Sequence, residues 1–337
     1  MQFFTKDHLG HKRPLNMFLA DDELKIVFLH DCAGIIEKLL RLGGAAEHYV
    51  FVLTWSWWVD ENKCLQLAKM ISGLKQNYPE MAQSIQNNII ICMNSSSEYA
   101  RYRAIDPVSR CIMANNACFL SPRLFRPLVN TLDSSAPAVL NAKSWLFKRH
   151  YLTQKLTNKI FISYREEADK SNPQYSNIRE YHPAELYFDI SPEKVVEINS
   201  RASFGLALSE VEGACYASAE YLLCGLPVVS TSSLGGREEF YTPRNSMIAH
   251  PSEIGLLDAD DLMRKRLSSG YFDRAAIRQG MLAKIKEYRS CLSQEIAYAT
   301  GISSTMIYDI LQRACDLDNK LYHKRNFWIK ELYRAED

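Results

Sequence analysis

Short apolar runs alternate with segments of helical spacing along most of this chain, and no other feature restricts its fold so much. Residues 25–30 read as a buried strand, 31–34 as a turn, and 35–42 as a helix that stops at Gly43-Gly44, a helix C-terminal signal. A second strand is expected at 48–54, an amphipathic helix at 62–76, a third strand at 88–93 and a fourth at 111–119. Asp133-Ser134-Ser135-Ala136-Pro137 has linker composition, and the pattern restarts behind it. Strands are expected at 138–142, 159–164, 204–208 and 227–230, with helices at 145–157, 193–200 and 217–224. Strand and helix in alternation give a parallel sheet covered on both faces. Two α/β domains are therefore expected, 1–135 and 136–315, and such sheets bind ligands beyond the carboxyl ends of their strands. Residues 275–292 and 303–332 are charged, helical and without a strong strand.

A length of 337 residues suits two domains of ordinary size. Forty basic and thirty-nine acidic residues leave a net charge of +1, which argues against bulk binding to nucleic acid. The nine cysteines (Cys32, Cys64, Cys92, Cys111, Cys118, Cys215, Cys224, Cys291 and Cys315) are odd in number and form no C-x-x-C pair. They read as reduced, mostly buried thiols, not as a disulfide frame or a zinc site. Residues 1–14 do not read as a signal peptide, and no apolar stretch is long enough to span a membrane. A cytoplasmic protein is the default expectation.

Residues 204–236 carry the chemistry. An apolar strand runs into the turn Glu210-Val211-Glu212-Gly213-Ala214-Cys215-Tyr216, a short helix closes at Gly225, and Pro227 opens a new strand. Gly213 gives the turn little bulk, so backbone N–H groups can approach a ligand. The N-terminus of the following helix offers further N–H donors and partial positive charge, which suit a diphosphate. Glu212 and Glu220, eight residues apart, can face one ligand from two sides, and carboxylates accept hydrogen bonds from vicinal hydroxyls. Taken alone, such a pair is more readily a set of solvated surface charges, and the strand–turn–helix–Gly–Pro–strand context around it favours the ligand-facing reading.

This segment resembles the donor-binding motif of family-4-type retaining glycosyltransferases of the GT-B fold. Glu212 and Glu220 fit that family's Glu-x7-Glu pair, Cys224-Gly225-Leu226-Pro227-Val228-Val229 fits the following Gly-x-Pro strand, and Gly235-Gly236 fits its loop. The resemblance is specific over this segment and extends to residues 138–251. It implies two Rossmann-like domains facing a cleft, with C-terminal helices, residues 316–337 here, crossing back to the first domain. It implies that Glu212 lies by the transferred sugar, that Glu220 lies by the nucleotide ribose, and that Gly213, Ala214, Cys215 and Tyr216 line the donor. The family often has Gly-Phe-Gly after the first glutamate, where this chain has Gly213-Ala214-Cys215. Cys215 reads as a small filler there, not a nucleophile.

The family also places an Arg-x4-Lys pair early in the second domain, on the donor diphosphate. Lys143 and Lys148 have that spacing, with lysine for the usual arginine and Arg149 as a further cation. An exposed basic helix face is the plain alternative, and Arg165 with Lys170 is a competing pair. The implied reaction moves a sugar from a nucleotide diphosphate sugar, UDP- or GDP-linked, to a hydroxyl of a glycan or lipid-linked acceptor, with retention. Lys143 and Lys148 would stabilise the departing diphosphate and Glu212 would position the sugar. No cofactor is expected, and the lack of an Asp-x-Asp motif points to metal independence. Trp55, Trp57 and Trp58 just past the second strand, His30 at the end of the first and Asn116 ahead of Ala117-Cys118-Phe119 are candidates for the acceptor side, though a packed aromatic corner fits the tryptophans equally and a structural role fits the lone histidine. The tail mixes Tyr322, Phe327, Trp328, Leu332 and Tyr333 with Lys320, Lys324, Arg325 and Lys330, which suits packing on the first domain or a peripheral membrane contact. A non-catalytic nucleotide-sugar binder and a nucleotide-sugar epimerase are the competing functions.

Overall fold

A computed structural model describes residues 24–31, 33–34, 36–37, 40 and 49–321, with the short strand segments 5–6, 12–13, 16–19 and 326–328. These residues form two compact units: one runs to Ser121 and resumes at Ile285, and the other is Pro122–Lys284.

In the first unit β1 (Thr5–Lys6) and β2 (Lys12–Arg13) pair antiparallel. β3 (Asn16–Leu19), β4 (Lys25–His30), β5 (Tyr49–Thr54), β6 (Ile89–Met93) and β7 (Arg110–Met113) lie side by side in chain order. β3 is antiparallel to β4 and the rest are parallel, with Lys25 opposite Tyr49 and Phe51 opposite Ile89. The strands are apolar on both faces, as parallel strands with two covered sides must be. Val27, Leu29, Phe51, Leu53, Ile89 and Ile91 share one core with Leu67, Ile71 and Leu74 of helix Glu61–Asn77, whose start Asp60 caps. On the other face Phe28 meets Phe119 edge-on at 5.7 Å. Arg289, fully buried on helix Arg274–Thr300, ties the carbonyls of Cys118 and Leu120.

The second unit is a six-stranded parallel sheet of β8 (Ala138–Asn141), β9 (Lys159–Ser163), β10 (Glu185–Phe188), β11 (Gly205–Ala207), β12 (Val228–Thr231) and β13 (Ser246–Ala249). Its spatial order is β10-β9-β8-β11-β12-β13. That is the doubly wound Rossmann order, which reverses between the first and fourth strands. Helices Pro192–Arg201 and Tyr216–Leu223 precede β11 and β12, and helix Glu253–Ser268 follows β13.

Several expectations change. The helix expected at 145–157 is two short 3-10 turns, Leu146–Lys148 and His150–Thr153, separated by Arg149 in a left-handed conformation (φ 56°). Leu146 N–H donates to the Gln174 carbonyl, and the Ser144 carbonyl, which would accept the first bond of a helix, is taken by Ser176 N–H. The strand expected at 111–119 stops at Met113, and Asn116–Phe119 is a 3-10 turn. The region expected to be helical to 332 contains a strand, β14 (Asn326–Trp328), parallel to β3 at the sheet edge. Gly43, Gly44, Cys32, Tyr322, Lys324, Arg325, Lys330, Leu332 and Tyr333 lie outside the described residues. No described helix is long and apolar enough to cross a membrane.

Candidate active site

The reversal of strand order in the second unit separates two loops, one leaving β8 after Asn141 and one leaving β11 after Ala207. Ligand sites of open α/β sheets form at such switch points. The loops meet: Glu210 N–H donates to the Phe147 carbonyl at 3.0 Å. Lys148 from the first loop forms an ion pair with Glu212 from the second, and both are largely buried. Ser209 donates its hydroxyl to the same Glu212 oxygen. Beside them Arg149 pairs with Glu210 at 3.1 Å. Two neighbouring cations are thus matched by two carboxylates of one turn.

A third segment fixes that turn. Glu212 N–H donates to the Leu234 carbonyl at 2.9 Å, Leu234 N–H returns to Glu210, and Gly236 N–H donates to the Gly213 carbonyl at 2.8 Å. Gly235 permits this approach. Its φ is +111°, and a Cβ there would stand 1.5 Å from the Glu212 carbonyl oxygen. The left-handed position inside the turn itself belongs to Cys215 (φ 47°), not to Gly213. Cys215 stands directly before the N-terminus of helix Tyr216–Leu223. Burial pushes its thiol up to about 11, the Glu212 carboxylate adds to this, and Arg237 and Lys148 oppose it. The thiol stays protonated near neutral pH, as a filler would and a nucleophile would not.

Glu220 is buried on the same helix, and Asn141 at the end of β8 donates to its carboxylate at 3.5 Å. The Tyr221 hydroxyl accepts from Asn141 N–H at 2.6 Å, which locks the helix against β8. Tyr216 and Ala214 lie on either side of Cys215, Ala214 buried and Tyr216 half-buried. Lys143 sits over the Trp145 ring at 4.2 Å and 6.0 Å from the Tyr164 ring centroid. Of the two lysines, Lys148 is the one that touches Glu212. In the competing pair, Lys170 bonds Glu167 at the surface and Arg165 N–H donates to Asp189.

Arg237 escaped the sequence reading. It follows Gly235-Gly236, is 0% exposed, and donates to the carbonyls of Ser209 (3.0 Å) and Thr231, one beyond β11 and one at the end of β12. Its signal in the sequence is only an arginine behind a glycine pair. Ser209 and Asn141, which hold the Glu212 and Glu220 carboxylates, carry no sequence signal of their own.

In the first unit the carboxyl ends of the strands gather amide, hydroxyl and imidazole groups together with the carboxyls of Asp31 and Glu98. His30 shares a hydrogen bond with Thr54 and lies edge-on to Phe119 at 6.2 Å. Asn94 and Asn116 both donate to the Trp55 carbonyl at 2.8 Å. Glu98, fully buried, accepts from Val59 and Asn94 N–H at 2.9 Å each. Burial pushes its carboxyl up to about 7 against those hydrogen bonds and the charge of Arg101. The expectation that Trp55 offers a stacking face is corrected: its ring is 2% exposed, packed in the core beneath Lys63 at 4.9 Å. Trp57 is 38% exposed, and Trp58 lies 5.7 Å from the Arg101 guanidinium.

Among the described residues no cluster of His, Cys, Asp and Glu is arranged to hold a metal ion. All described cysteines are free thiols.

No family model matches the sequence, and no curated protein matches it either. Among solved structures the chain is similar to TarM of S. aureus, with a TM-score of 0.53 and 13% identity over 81% of this chain and 54% of that one. The chain thus spans about half the length of TarM. A glycosyltransferase from Rickettsia africae gives a TM-score of 0.49 at 11% identity, covering 82% of this chain and 98% of that one. Sucrose-phosphate synthase from Thermosynechococcus elongatus gives 0.46 at 16% identity, covering 79% and 74%. The likeness is one of fold, and with the two α/β units and their parallel sheets it gives this chain the GT-B architecture.

Proposed function

We propose that the chain is a glycosyltransferase that moves a sugar from a nucleotide diphosphate sugar to a hydroxyl of a glycan or lipid-linked acceptor, with retention and without a metal. The observation that carries this reading is the contact of Lys148 with Glu212 at the switch point of the second sheet. Departure of the diphosphate builds negative charge on phosphate oxygens. Lys148, Lys143, Arg149 and the helix N-terminus at Tyr216 supply the opposite charge, and Gly213, Ala214 and Cys215 supply the close backbone. Glu212, held by Ser209, positions the sugar, and Glu220 accepts from the ribose hydroxyls. In the first unit His30, Asn116, Trp57 and Trp58 are the acceptor-side residues, Asn116 by holding the loop that carries the two tryptophans.

The test is turnover of UDP- and GDP-sugars with a panel of glycan and lipid-linked acceptors, with the anomeric configuration of the product read by NMR. Glu212→Ala is expected to fold and to lose transfer by roughly a hundredfold or more. A folded Glu212→Ala chain with full transfer activity would remove the assignment. Donor binding without transfer to any acceptor would favour a non-catalytic binder, and isomerised donor in the absence of acceptor an epimerase.

A further inference from the structure

Two of the three loop cations at the switch point are already paired, Lys148 with Glu212 and Arg149 with Glu210, while Lys143 lies over the Trp145 ring. A diphosphate arriving there shares Lys148 and Arg149 with those carboxylates. Arg237 is different. Its guanidinium is 0% exposed and no described carboxylate lies within ion-pair distance of it. Its NH1 and NH2 groups hold two carbonyls, and its buried Nε makes no hydrogen bond. Burying a charge in this way is costly unless the fold gains something from it. The two carbonyls show what is gained. Ser209 follows β11 at the switch point and also carries the hydroxyl that holds Glu212, while Thr231 ends the next strand. Arg237 thus clamps the backbone from which the Glu212 turn departs, and it adds one uncancelled positive charge directly behind that turn.

We infer that Arg237 is a positioning residue for the donor diphosphate, acting from behind the Ser209–Glu212 turn through its clamp on the Ser209 and Thr231 carbonyls and through its uncompensated charge. It touches no ligand, because it has no exposed surface. In a low-dielectric surrounding a fixed charge acts over several ångströms with little screening, so a nucleoside diphosphate, which carries about one negative charge more than the monophosphate's roughly −1.5 to −2 at neutral pH, gains more from it. The inference rests on the donor reading above.

The experiment measures binding of UDP, UMP, GDP and GMP by calorimetry to the full chain, to Arg237→Gln and to Arg237→Lys, with thermal unfolding of each recorded alongside. Both variants are expected to be less stable, since neither side chain bridges two carbonyls as a guanidinium does. Arg237→Gln is expected to lose diphosphate affinity by about tenfold and to narrow the diphosphate-to-monophosphate preference, because a charge is removed. Arg237→Lys keeps the charge and is expected to keep that preference within about threefold. If Arg237→Gln does not fold, the lysine variant decides alone: a folded Arg237→Lys that loses the preference overturns the inference. So do glutamine and lysine variants that lose the preference equally, or glutamine variants that keep it. A wild-type chain that binds none of the four nucleotides overturns the donor reading and this inference with it.

Discussion

In the first unit β4, β5, β6 and β7 follow one another across the sheet, whereas in the second unit the order reverses between β8 and β11. With crossovers of the usual right hand, one-way winding puts the connecting helices on one side. Helices Glu61–Asn77, Ala82–Asn88 and Ser96–Ile105 accordingly contribute Leu67, Ile85 and Tyr102 to one core. Reversal sends successive connections to opposite sides and leaves two loops diverging at the switch point. The side chains at the strand ends differ in the same sense. The first unit fills them with amides, a hydroxyl, an imidazole and two carboxylates, Glu98 and Asp31, that accept from backbone N–H groups. The second fills them with ion pairs and a buried guanidinium. A shared α/β plan thus yields a rim of amides, a hydroxyl, an imidazole and carboxylates held by backbone N–H groups in one unit, and a rim of ion pairs in the other.

The largest expected effect breaks the charged rim without touching a charge. Gly235→Ala forces a Cβ to within 1.5 Å of the Glu212 carbonyl at a left-handed φ. It is expected to destabilise the second unit by roughly 3 kcal/mol or more and to abolish nucleotide binding, because the turn that carries Glu212 must move. Urea unfolding and calorimetric titration check this. Gly73→Ala, inside helix Glu61–Asn77 of the first unit with open space at the Cβ, is the matched control: it should leave nucleotide binding unchanged and stabilise the first unit by about 0.5–1 kcal/mol.

Gly235 also shows how far the sequence alone reaches. The glycine pair, the Glu-x7-Glu spacing and the Gly-x-Pro strand start are local patterns, and each lies where the chain itself makes the turn. Strand β4 is read correctly from its apolar run alone. β10 and β13 escape because they are edge strands with half-exposed faces, so no continuous apolar run marks them. The 145–157 segment has helical spacing, but its backbone groups go to residues 172–176, a partner that no local pattern names. Arg237 is invisible for the same reason: one of its carbonyl partners lies in the loop after β11 and the other at the end of β12. Trp55 reads as a loop aromatic and is core, because Asn94 and Asn116 draw its backbone inward from two other loops.

A smaller and more selective effect sharpens the contrast between units through pH. His150 of the second unit is buried against Phe161, and burial, helped by the Lys148 charge, holds its pKa down at about 3. An unfolded chain binds that proton below about pH 6.5 and the folded one does not until about pH 3, so stability of this unit falls as pH drops through that window. Glu98 of the first unit has the opposite sign. Its folded pKa is raised to about 7 from 4.5, so the folded state holds a proton that the unfolded state has lost, and stability falls as pH rises from 4.5 through 7. Each slope is at most about 1.4 kcal/mol per pH unit. Hydrogen exchange resolved by residue at pH 5.0 and 7.5 should show the two units moving in opposite directions. His150→Leu should flatten the second slope and Glu98→Gln the first, and parallel behaviour of the two units in the unsubstituted chain would contradict both assignments.

The smallest expected effect concerns Cys215. A non-glycine residue in left-handed backbone costs about 1–2 kcal/mol, and this chain carries that cost at the turn before helix Tyr216–Leu223. Cys215→Gly relieves it but gives up a partly buried thiol and adds freedom to the unfolded chain, which offsets about 0.5–1 kcal/mol. The net change in stability is expected to stay within about 1 kcal/mol. If the thiol only fills space beside Glu212, nucleotide affinity and transfer should change less than about threefold, because the backbone N–H groups remain in place. Loss of transfer in a folded Cys215→Gly chain with unaltered nucleotide affinity would mean that the sulfur takes part in the reaction. The raised pKa of the thiol argues against that outcome, since a protonated sulfur is a poor nucleophile at neutral pH.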